Sequence, residues 1–161
     1  MRTLLINVII SAVPFCHSLY AADGDPIHGI DAINLNRLTY TMVRAYHTKS
    51  IGEGFLETKA EDGTSYLVVD LKVRNPKPEK VEHDASFAIV DSEGAKYDLD
   101  KGATCVAKHG FFFGTFKIIP KFTKLVSLVF TVPKESLNQI WTLQIQNKDD
   151  ESSPGELLTK K

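Results

Sequence analysis

Cysteine is nearly absent from this chain. There are two, Cys16 and Cys105, and Cys16 falls in a segment expected to be removed. What remains therefore has no internal disulfide and no cysteine-based zinc cluster. Cys105 is expected to be a small buried apolar residue rather than an intermolecular link. Long hydrophobic runs are missing after the first 22 residues, so no later segment is read as crossing a bilayer as a helix. Neither sign of charge dominates, with 19 basic and 20 acidic residues and a formal net charge of −1. That balance argues against nucleic acid, which would want a basic face.

Catalytic and phosphate-binding signatures are also lacking. There is no Gly-x-Ser-x-Gly elbow and no Ser-x-x-Lys. Gly110-Phe111-Phe112-Phe113-Gly114 is flanked by glycine but is apolar, which suits no phosphate. The one local pair of nucleophile and base, Cys105 with His109, stands four apart on an irregular segment, a weak signal for nucleophilic catalysis. His28, His47, His83 and His109 show no His-x-His or His-x-x-x-His spacing, so no metal site is assigned. The acidic clusters at residues 23–25, 91–93 and 98–100 fit no twelve-residue calcium loop and read as solvated turns. The chain is therefore expected to be noncatalytic and to use no cofactor.

Two features are present from the start. Met1-Arg2 gives a short positive region, and Leu4 to Val13 is an apolar run about half the length of a membrane-spanning helix. Ser18 to Ala22 follows in the layout of a secretory signal peptide, with cleavage expected after Ala21. Phe15 before Cys16 is too large for a lipoprotein signal. An exported protein, periplasmic or secreted, is expected, with 22–34 as a lead-in, 35–147 as the folded domain and 148–161 as a flexible tail.

The second feature is period-2 patterning. Leu38, Tyr40 and Met42 share a face, and Tyr46 is expected to continue it. In "SYLVVDLKVRN", Leu67, Val69, Leu71 and Val73 alternate with Asp70, Lys72 and Arg74, so one face is expected buried and the other wet. Asp62-Gly63 supplies a hairpin turn before it, and Asn75-Pro76 ends it. Phe87 and Ile89 precede a turn at 91–94. Val126, Leu128, Phe130 and Val132 line up before Pro133, and Trp141, Leu143 and Ile145 follow. About seven or eight short strands and no convincing helix predict an all-β, antiparallel sandwich.

The run from Tyr66 to Asp100, with Phe87, Ile89, Val90, Asp91 and Gly94 and then Phe130, Val132 and Pro133, resembles a known family. It is similar to the uncharacterised exported bacterial immunoglobulin-like domains related to a mycobacterial secreted immunoprotective antigen. The resemblance spans residues 35 to 147 and implies an immunoglobulin-like sandwich outside the cytoplasm, with no catalytic residues to carry over. One departure is local: where that family often has Pro-Gly before the penultimate strand, this chain has Pro120-Lys121.

Function is then expected in loops and edges. Three consecutive phenylalanines on a strand cannot all face one core. Phe111, Phe112 and Phe113 are therefore the candidate binding residues, with Phe112 covered by the chain itself, by a second copy in a homodimer, or by another envelope or secreted protein. An exposed apolar or edge-strand surface near 103–118 is expected, with addition of a partner strand as one mode of binding. A small-ligand or metal carrier is the alternative.

Overall fold

The structure is a computed structural model that describes residues 32–35, 37–83, 85–110, 116–138, 141–147 and 156–158. Twelve strands are assigned: β1 Ala32–Leu35, β2 Leu38–Thr48, β3 Ser50–Ile51, β4 Thr58–Lys59, β5 Thr64–Arg74, β6 Val81–His83, β7 Ala85–Val90, β8 Lys96–Asp98, β9 Phe116–Ile118, β10 Thr123–Pro133, β11 Thr142–Asn147 and β12 Glu156–Leu158. Eight of them form two four-stranded antiparallel sheets, β1-β2-β5-β10 and β12-β11-β7-β8. The expected all-β sandwich is present. β1 and β12 extend the sheets beyond the 35–147 bounds read from the sequence.

Alternation builds the core. Leu67, Val69, Leu71 and Val73 of β5 and Val126, Leu128, Phe130 and Val132 of β10 point inward. They meet Phe87, Ile89, Leu143 and Ile145 from the second sheet in one cluster. Burial of such side chains contributes about 1.5–3 kcal/mol each. Phe87 and Phe130 are core residues, as the patterning implied. So is Trp141, set edge-on to Tyr97 with ring centres 5.4 Å apart.

Turn chemistry follows the residues. The Asp91 carboxylate accepts from the backbone N–H of Glu93 at 2.9 Å and of Ala95 at 2.8 Å. Gly94 sits at φ +89°, a region that favours glycine. Asn75 does more than end β5. Its side chain is buried and donates to the carbonyls of Glu79 and Ile118 at 2.7 and 2.9 Å, while accepting from Lys77 N–H at 2.9 Å.

Two expectations change. The chain does form a helix, α1, over Lys101–Val106. Six residues are too few for a helical period to show in the sequence, but Asp100 caps it, accepting from Ala103 N–H at 2.9 Å. The segment before the Asp62-Gly63 turn does not pair with β5 either. β4 pairs with β3, and β5 pairs with β2 and β10.

A candidate binding groove on the outer face of the first sheet

The outer face of β5 is not wet along its length. Lys72 and Arg74 are exposed, but Tyr66, Val68 and Asp70 are buried. A second apolar cluster explains this: Ile51, Tyr66, Val68, Ala103 and Val129, with Tyr46 and Val106 packed at its margin. The segment from Asp100 to His109 lies over β10 and covers it.

That cover closes a sheet edge. β10 is the outermost strand of its sheet. Val129 N–H donates to Thr104 Oγ1 at 3.0 Å, and Val129 O accepts from Asp100 N–H at 2.8 Å. Ser127 N–H donates to His109 O at 3.0 Å, and Thr131 Oγ1 donates to the Asp100 carboxylate at 2.8 Å. The expectation that residues 103–118 offer an edge to a partner strand is corrected for residues 103–109. Residues 100–109 themselves occupy that edge, the protection an exposed strand needs. Asp100, read as a solvated turn residue, caps the helix and ties it down.

A bulge sets the opposite wall. The register of β2 against β5 shifts between Met42 and Arg44, leaving Val43 as the extra residue. Beyond it the faces exchange. Ala45 is in the main core opposite Val69, and Tyr46, expected inward, turns outward opposite Val68. Arg44 is brought opposite Asp70. Its Nε donates to Asp70 Oδ2 at 2.6 Å, and Ser127 Oγ donates to Oδ1 at 2.6 Å. The Asp70 side chain is 3% exposed, so its charge is held by this pair of bonds. The Arg44 guanidinium also lies over the Tyr46 ring, 4.7 Å from its centre.

Between bulged strand and cover lies a groove of about 650 Å³. Tyr46, Thr48, Ser50 and Ile51 form one wall, Val106 to Lys108 the other, and Glu53 and Leu56 the mouth. Gly52 at φ +88° lets the chain double back here, and a Cβ on it would meet Leu56 O at 2.6 Å. The short 3-10 turn Gly54–Leu56 then projects Phe55, which is 96% exposed, and Leu56, which is 54% exposed. The lining contains one carboxylate, Glu53, and neither histidine nor cysteine.

The sequence-derived candidates fare differently. Phe111, Phe112 and Phe113 lie outside the described residues. Cys105 is exposed, not buried, because α1 turns Ala103 and Thr104 onto the sheet and the next residue outward. His47 sits opposite Leu67, its Nδ1 buried with no hydrogen-bond partner among the described residues. Burial pulls its pKa down to about 4. Among the described residues no three of His, Cys, Asp and Glu gather as metal ligands, and no helix is long and apolar enough to cross a membrane. Patterning missed the groove because it rests on the bulge. The one signal was two glycines flanking Glu53, just before an apolar pair.

The profile of a domain of unknown function (DUF4352) matches residues 31–154. Among solved structures, the chain is similar to a conserved hypothetical protein from Bacillus anthracis, with 19% identity, a TM-score of 0.61, and 78% of this chain and 91% of that one covered. It is also similar to an uncharacterized beta-sandwich protein from Clostridium difficile 630, with 15% identity, a TM-score of 0.53, and 91% and 100% covered. At these identities the likeness shows the fold alone. No curated protein matches the chain. The profile match spans most of the sequence, so the chain belongs to the DUF4352 family.

Proposed function

We propose that this member of a family of unknown function is an exported, noncatalytic recognition module of the bacterial cell envelope. It holds a segment of another envelope or secreted protein in the groove between β2–β3 and α1. The observation that carries this reading is Phe55, an aromatic side chain left 96% exposed next in the chain to Leu56, which lines the groove. Large exposed apolar side chains beside a concavity are what protein contacts use. The hydroxyls of Thr48 and Ser50 would meet the backbone of the bound segment, and Phe55 and Leu56 its apolar side chain.

Export rests on the leader at residues 1–21. Kinship with domains related to the mycobacterial secreted antigen rests on the Phe87-to-Gly94 and Phe130-to-Pro133 motifs. The absence of catalysis is part of the proposal. It is supported by a groove lining with a single carboxylate and neither histidine nor cysteine. A small-ligand carrier is the second reading, favoured by a groove volume within the range of ligand sites, ~300–1,000 Å³.

Capture of the tagged protein from cross-linked cells tests the first reading. The paired changes Phe55→Asp and Leu56→Asp should abolish capture of its dominant envelope partner. The melting temperature should stay within a degree or two, because both side chains are exposed. Undiminished capture would remove the groove mouth from the contact. A thermal-shift screen tests the second reading, since a ligand that binds the native state raises the melting temperature.

A further inference from the structure

We propose that the end of the sandwich opposite the groove docks on an anionic phospholipid surface. Ile119 and Phe122 enter the interface, and exposed lysines around them meet the headgroup phosphates. The groove reading is not needed for this.

The docking element is the turn Ile119-Pro120-Lys121-Phe122. Phe122 N–H donates to Ile119 O at 3.3 Å, closing it. Proline at its second place and φ +58° at its third make it type II. The third place normally takes glycine, because a side chain there is strained. Here it carries Lys121. Strain held at an exposed tip points to use rather than to folding.

The two flanking side chains complete the motif. Ile119 is 49% and Phe122 50% exposed. Among the described residues, the only other large apolar side chains so exposed are Phe55 and Leu56, at the groove.

Asn75 fastens the neighbouring loop to this turn. Its backbone N–H donates to Phe122 O at 2.9 Å, and its side chain holds the carbonyls of Ile118 and Glu79. Arg74, Lys77, Lys80, Lys117 and Lys121 are thereby gathered at one end, all exposed. The acids of segments 71–83 and 116–125 are Glu79 and Glu82. Glu79 is already engaged by Arg37 at 2.6 Å, and Glu82 lies opposite Lys117 across β6 and β9, which leaves Arg74, Lys77, Lys80 and Lys121 without an acid from these segments opposite them. In a chain whose net charge is −1, so much positive charge at one end is placement rather than composition.

A soluble polyanion would be met by the lysines alone. An apolar pair bracketing a lysine at the crest suits an interface, where acyl chains take the apolar groups and phosphates the cations. The register gives the orientation. β5 runs from Tyr66, opposite Thr48 of the groove wall, to Arg74, opposite Thr123. The two ends are thus about 25 Å apart along the strand, and docking turns the groove away from the membrane.

Phe122→Trp in the full chain reports on the tip directly. The one native tryptophan, Trp141, is buried and supplies a constant background. Vesicles of phosphatidylglycerol mixed with phosphatidylcholine should shift the added emission to the blue. Pure phosphatidylcholine should leave it nearly unchanged, and added salt should reverse the shift. In the same background, Lys117→Glu with Lys121→Glu should weaken partitioning more than about ten-fold. Ile119→Ser should weaken it by about ten-fold. The apolar run at residues 4–13 is common to all these chains and contains no tryptophan. Three results would overturn the proposal: no shift on anionic vesicles, an equal shift on neutral ones, or undiminished partitioning by the charge-reversed and Ile119 variants with melting temperatures unchanged.

Discussion

The two ends of the long strands β2, β5 and β10 carry the exposed apolar side chains of the described molecule, and they are built by opposite means. At the groove end a bulge exchanges the faces of β2, a six-residue helix covers the sheet, and Arg44 pairs with the buried carboxylate of Asp70. The chemistry there depends on parts distant in sequence: Arg44, Asp70, Ser127 and residues 100–109. At the other end a four-residue turn and one asparagine suffice. The groove end should therefore fail as a unit when an inner contact is removed. The turn end should tolerate change at its tip while losing only binding.

Asp70→Ala should give the largest effect. It leaves Arg44 and Ser127 without their shared acceptor beneath the cover. Removing one partner of a buried pair costs ~3–5 kcal/mol, and the part-exposed Arg44 places this case near ~3 kcal/mol. Chemical denaturation would measure it, and hydrogen exchange should show residues 100–109 opening first. A loss below ~1 kcal/mol would mean that the cover does not depend on the pair.

His47 gives the next effect, also at the groove end. The folded chain keeps it neutral down to about pH 4, whereas the unfolded chain takes up a proton below the ordinary value of 6.5. Its contribution is present above pH 6.5 and is lost as pH falls through that window toward 4. The loss approaches roughly 3 kcal/mol at its limit. His47→Leu should remove this loss, so the wild-type-minus-variant stability difference should fall between pH 6.5 and 4; a difference that stays flat over this range would show that His47 is hydrated in the folded protein.

At the other end, Asn75→Ala should cost about 2 kcal/mol, because two carbonyls and one N–H lose a buried partner. The smallest change has the opposite sign. Lys121→Gly removes a side chain from a left-handed position and should stabilise the fold by ~1 kcal/mol while weakening vesicle binding about five-fold. Stability and binding moving in opposite directions would separate the tip from the fold. A destabilised variant would show that Lys121 is structural.

Much of the fold was legible because alternation is local. The inward sets on β5 and β10 and the Asp91–Gly94 turn follow from period-2 spacing and from one carboxylate beside one glycine. The faces of β2 beyond Met42 were not legible, since a single extra residue, Val43, reverses the parity and puts Tyr46 outside. Helix α1 was hidden by its brevity, and Cys105 was misplaced with it. The groove could not be seen because its walls meet only after the bulge and the helix have formed. The break at Pro120-Lys121 was visible as a missing glycine, but its positive φ belongs to the structure.

The recognition claim is tested most directly by a photo-crosslinking amino acid at position 55 in living cells, with the same probe at the exposed Glu93 as control. One dominant envelope-protein adduct from position 55, absent from position 93, is the predicted result. No adduct from position 55, or the same pattern from both positions, would contradict recognition through the groove.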